Sequence, residues 1–169
     1  MANNLFRYFS FFLIVVVADA SYALSSINKQ EAVEIGGIKQ WIGMKGNNDH
    51  HPVLLFLHGG PGNSSMRYGD RFTSELQKHF VVVQWDQRGS GKTAKLNSSN
   101  QSITVALMVS DAIGMINYLR ARFSKEKIYL MGHSWGGFLG LMVATNHPDL
   151  LEPTFVLLIL TQQVQCDLA

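Results

Sequence analysis

The chain has 169 residues, 47% of them hydrophobic and 15% charged, the composition of a globular protein with room for one domain. Its formal net charge of +2, without any block of like charge, gives no footing for nucleic acid. The single cysteine, Cys166, excludes a disulfide framework, and the His50-His51 pair lacks the H-x-x-x-H or H-x-H spacing of a metal site, so no metal or other cofactor is expected.

The first 23 residues read as a targeting segment. Met1–Arg7 carries one positive side chain, and Tyr8–Ala18 is an apolar run of eleven residues. Spanning a bilayer takes roughly 20 apolar residues, whereas a signal-peptide core takes about 7–15. Small residues follow, and cleavage after Ala20 or after Ala23 fits an A-x-A-like pattern. A signal peptide and export to a secreted or periplasmic location are therefore expected. An uncleaved anchor is the alternative, and it would be the protein's only route to a membrane.

Glu31 to Lys45 alternates loosely around Gly36-Gly37, which predicts a β-hairpin with Trp41, Ile42 and Met44 in its second strand. The polar loop Gly46–His51 and Pro52 lead to Val53–Leu57, five apolar residues in a row. Such a run predicts a strand buried on both faces of a parallel sheet. It passes into His58-Gly59-Gly60-Pro61-Gly62, where glycines let backbone N–H groups approach a ligand. Met66–His79 predicts a helix with Phe72 and Leu76 on one face, and Phe80–Trp85 predicts the next buried strand.

That strand ends in DQRGSGKT, residues 86–93. The GSGKT portion invites a phosphate-binding reading, but a P-loop needs G-x-x-x-x-G-K-[ST], and Asp86 stands where the first glycine belongs. A carboxylate there repels phosphate, so no nucleotide site is expected. The segment reads instead as a structural turn. Asp86 would cap backbone donors and Arg88 would pair with a nearby carboxylate, holding the floor of the site.

Thr104–Phe123 repeats apolar residues in steps of three and four, with Thr104 as N-cap, and predicts a helix. Lys127–Met131 then predicts a buried strand, Gly132-His133-Ser134-Trp135-Gly136 a turn, and Trp135–His147 a second helix. Phe155–Leu160 reads as a last strand, followed by a tail at 161–169. The alternation predicts an α/β fold over 31–160, with a mostly parallel sheet, right-handed crossovers and an N-terminal hairpin.

Strand, G-x-S-x-G and helix in that order is the pattern of a nucleophile elbow. The turn is so tight that positions 132 and 136 nearly touch, and glycine supplies the room. Ser134 is lifted clear of the sheet, and the Trp135 N–H sits at the positive end of the helix. Together, HGGPG at 58–62, DQRGSGKT at 86–93 and GHSWGG at 132–137 resemble the prolyl iminopeptidase branch of the α/β-hydrolase superfamily. The likeness covers about Glu31–Asp149. It implies that Ser134 is the nucleophile and that the Gly60 and Trp135 N–H groups form the oxyanion hole. It also implies metal-free acyl transfer that releases an N-terminal residue, typically proline, from peptides, with His58 and His133 structural.

Such hydrolases place an Asp or Glu, and then a His, after the serine in the chain. The residues after Ser134 include His147, Asp149, Glu152 and Asp167. His147 lies thirteen positions along the helix, roughly 20 Å away at about 1.5 Å per residue. A general base must come within about 3 Å of the hydroxyl proton. The expectation is thus an incomplete α/β-hydrolase fold, the N-terminal half of a longer serine hydrolase lacking the triad acid and histidine, with a small peptide or ester as its substrate. A non-catalytic binding protein on the same scaffold and a small-ester hydrolase stand as alternatives.

Overall fold

A computed structural model describes residues 25–97, 102–153 and 156–158. The apolar segment Tyr8–Ala18, the two cleavage positions and the 161–169 tail lie outside the described residues. Strands β1 (Ile27–Ile35) and β2 (Ile38–Gly46) form the expected antiparallel hairpin. Its two-residue turn needs positive φ at both positions, and Gly36 and Gly37 supply it at 58° and 74°.

The remaining strands are β3 (Val53–Leu57), β4 (Val81–Asp86), β5 (Tyr129–His133) and β6 (Val156–Leu158). Sheet order is β1-β2-β4-β3-β5-β6. The hairpin joins through β2, antiparallel to β4, while β4, β3, β5 and β6 run parallel. Parallel pairing demands long crossovers, and the chain supplies them with helices α1 (Asp70–Thr73), α2 (Gly91–Leu96), α3 (Val105–Arg122) and α4 (Trp135–Asn146).

Period-2 alternation splits each strand between two layers. Val53, Leu55 and Leu57 of β3 share a core with Val81, Val83 and Trp85 of β4 and with Met108, Ala112, Met115, Ile116 and Leu119 of α3. Leu139 and Val143 of α4 complete this layer. The opposite face of β3 is buried too, and the Phe56 ring lies 5.2 Å from that of Phe72. This two-sided burial is why VLLFL is an unbroken apolar run. Thr104 caps α3 as expected, its side chain accepting from the Leu107 N–H at 3.2 Å.

Three expectations need correction. Met66–His79 is not one helix: it contains only α1 and a 3-10 turn at Leu76–Lys78. Its first residues are held to the sheet instead, since Ser64 Oγ accepts the Met66 N–H at 3.2 Å and Ser65 Oγ donates to Gln84 Oε1 at 2.5 Å. The DQRGSGKT segment is not a turn alone: from Gly91 it continues into helix α2. Strand β5 starts two residues later than expected and runs to His133, directly against Ser134.

Candidate active site

Ser134 occupies the single position between β5 and α4 and has φ 52° and ψ −118°. A non-glycine residue held there costs about 1–3 kcal/mol and persists only where its surroundings impose it. The surroundings are visible. A Cβ at Gly132 would overlap the Gly136 carbonyl oxygen, and one at Gly136 would overlap the carbonyl of Leu57 at the end of β3. The pairing of Leu57 with Gly132 puts these segments side by side. Trp135 opens α4, so its N–H is among the first four that have no intrahelical acceptor.

The loop after β3 comes to the same place. A Cβ on Gly59 would lie 3.4 Å from Ser134 Cβ and 3.0 Å from His133 Nδ1, so only a bare backbone passes the serine comfortably. Gly60 follows with φ 125°, and a Cβ there would stand 2.6 Å from the Gly62 nitrogen. The Asn63 N–H closes the turn onto the Gly59 carbonyl at 3.3 Å. The fold therefore gathers Ser134, Trp135 and the Gly59-Gly60 backbone at the C-terminal end of the parallel strands.

The six histidines are all described, and their places sort them. His50 and His51 precede β3 and His79 precedes β4, which puts them at the opposite end of the sheet from Ser134. His147 caps the far end of α4. His58 is fully buried: Nδ1 is 2.8 Å from the Gly59 carbonyl, and the Gln87 N–H lies 3.2 Å from Nε2. Because that N–H can only donate, Nε2 accepts and the proton sits on Nδ1. Ser90 Oγ is also 3.0 Å from Nε2. Burial holds His58 below its ordinary value of 6.5, against the Gly59 carbonyl and the Asp86 carboxylate, which both favour the protonated ring. With both nitrogens engaged, His58 is a structural residue. His133 immediately precedes Ser134 and lines a cavity of about 380 Å³ with Phe56, Gly59, Tyr68, Phe72 and Met131. Ser134 is not part of that lining.

Asp86 caps the Lys92 N–H at 2.7 Å, as the sequence suggested, and also accepts from Ser64 Oγ. Arg88 pairs with a carboxylate, Asp111, but reaches α3 and the hairpin turn rather than flooring the site. The residue that the sequence left without a role is Gln87. It is fully buried, and its side chain meets both His58 and Trp135. The only hint was its place between two residues already singled out.

Residues 52–153 match the family model described as alpha/beta hydrolase fold. The chain belongs to the α/β-hydrolase family. Over 125 residues the chain is 43% identical to the probable aminopeptidase YbaC of Bacillus subtilis, a match covering 74% of the chain and 39% of that protein. It is 34% identical over 104 residues to a proline iminopeptidase of Arabidopsis thaliana, covering 62% of the chain and 25% of that protein. Among solved structures, the proline iminopeptidase-related protein TTHA1809 of Thermus thermophilus superposes with a TM-score of 0.61 at 26% identity, covering 73% of this chain and 42% of that one. An epoxide hydrolase from Vigna radiata gives 0.60 at 27% identity, covering 73% and 36%. The chain thus spans less than half the length of these relatives, and its likeness is to the prolyl iminopeptidase-like branch of the family.

Proposed function

We propose that this chain is the nucleophile-bearing part of an exported serine hydrolase of the prolyl iminopeptidase type. In this reading β5, Ser134 and α4 form a nucleophile elbow, and the Gly60 and Trp135 N–H groups stabilise the oxyanion of acyl transfer. The substrate is a small peptide whose N-terminal residue, typically proline, is released. The observation that carries the reading is Ser134 at φ 52° between strand and helix, with Gly59 so close that a Cβ on it would lie 3.4 Å from the Ser134 Cβ. The base and the acid that orients it come from outside the described residues. Two features support this: His147 lies at the far end of α4, and both nitrogens of His58 are engaged.

The test is a chimera in which residues up to Leu158 are joined to the part of the Bacillus subtilis relative that lies outside the match. Release of proline from a proline-arylamide, lost in Ser134→Ala, is the expected result. Turnover of short acyl esters alone would move the assignment to a small-ester hydrolase. A folded chimera inert towards both would leave the non-catalytic binding protein as the better reading.

A further inference from the structure

We infer that Gln87 is a positioning residue that holds the two halves of the oxyanion hole in register. The inference rests on the serine-hydrolase reading above. Gln87 is the first residue after β4, and sheet order places β3 between β4 and β5. Its side chain therefore spans the end of β3. On one side Nε2 donates to the His58 carbonyl at 3.2 Å, two residues before Gly60. On the other, Oε1 accepts the indole N–H of Trp135 at 3.1 Å. The backbone N–H of Gln87 adds the bond to His58 Nε2.

The amide's orientation is fixed by its partners. An indole N–H can only donate and a backbone carbonyl can only accept, so the two ends of the Gln87 amide cannot be exchanged. The side chain has no exposure, so a partner removed there is not replaced freely by water. Asp86 anchors the other end of the same loop through Ser64 Oγ. Consecutive residues at the end of β4 thus fix both ends of the turn carrying Gly59 and Gly60, and among the described residues Gln87 is the side chain that hydrogen-bonds both to that turn and to Trp135. An oxyanion hole needs its donors held at about 2.7–3.1 Å from the oxygen, and errors of about 1 Å cost up to about 100-fold.

The experiment uses the full chain and pyrrolidine-2-boronic acid. Boron takes Ser134 Oγ and becomes tetrahedral, the serine proton passing to buffer, and one boron oxygen then occupies the oxyanion position. The ¹¹B NMR shift reports the tetrahedral adduct, and titration gives its Kd alongside a melting curve. In wild type the adduct forms, and in Ser134→Ala it does not. If those two proteins give the same signal, the serine-hydrolase reading fails and this proposal fails with it. Gln87→Leu is expected to weaken the adduct between about 10-fold and 100-fold in the folded protein. Trp135→Phe removes only the indole N–H and is expected to weaken it likewise, so the test stands even if Gln87→Leu does not fold. A role in stability alone would lower the melting temperature and leave the Kd unchanged. An unchanged Kd in either folded variant, with the Ser134-dependent adduct intact in wild type, overturns the proposal alone.

Discussion

The Arg88 guanidinium meets Asp111 through two charge-assisted hydrogen bonds, Nε to Oδ2 at 2.7 Å and Nη2 to Oδ1 at 2.9 Å. Their side chains are 3% and 0% exposed, and Nη2 also donates to the Gly36 carbonyl at 2.9 Å, so one ion pair ties α3 to the hairpin turn. Asp111→Ala would take the carboxylate away from a buried guanidinium, at a cost of about 3–5 kcal/mol. Urea unfolding of the two proteins should show that loss, and a difference below about 1 kcal/mol would mean that the carboxylate is replaced by water or by the other partners of Arg88. His58 makes stability depend on pH in a known direction. Folding lowers its affinity for a proton, so below 6.5 the unfolded chain binds more protons than the folded one. Its contribution is complete above 6.5 and is lost as pH falls from there towards the lower folded value. The melting temperature should drop as pH falls below about 6.5, and His58→Gln should flatten that slope. An equal slope in the variant would assign the effect to other groups.

At the scale of elements, the start of α4 seats on the end of β3 because Gly136 has no side chain. A Cβ there overlaps the Leu57 carbonyl, so Gly136→Ala must push the helix outward. The expected penalty is about 1–3 kcal/mol, measurable by urea unfolding, with the Ser134 turn distorted in step. Wild-type stability in this variant would mean that α4 shifts freely on the sheet. The elements legible in the sequence are those whose burial writes a period into it. β3 matches its apolar run residue for residue, and α3 differs from its predicted span by one residue at each end. The region after the glycine loop was misread because Phe72 and Leu76 suggested helical spacing, while Ser64 and Ser65 bind Asp86 and Gln84 and keep the chain close to the sheet. The tight turn at Ser134 and its glycines was legible, since such turns restrict residue type. Gln87 was not, because a buried amide is defined by partners 29 and 48 positions away. The N-terminal segment carries its own prediction. Mature protein from an expressing cell should begin at Ser21 or Leu24, and soluble cytosolic protein with Met1 intact would exclude cleavage.

At the scale of the whole molecule, the candidate site and three of the histidines lie at opposite ends of the parallel strands. Ser134, Trp135 and the Gly59-Gly60 turn stand at the C-terminal ends of the strands, while His50, His51 and His79 stand at the N-terminal ends. A serine attacking a carbonyl needs a base to take its proton. Losing the histidine of a serine-protease triad costs about 10⁶ in turnover, and the remainder comes from the oxyanion hole and binding. The full 169-residue chain is therefore expected to release proline from a proline-arylamide no faster than Ser134→Ala does, on protein shown to unfold cooperatively. A clear drop on that substitution would mean that a residue of the 169-residue chain acts as the base. His58 cannot be that residue without giving up the bonds that hold Gly59 and Gln87. His133, beside Ser134 and lining the cavity, is then the histidine left to test. His133→Ala would abolish the Ser134-dependent rate if it is the base, and would leave the rate in place if a residue outside the described part supplies it.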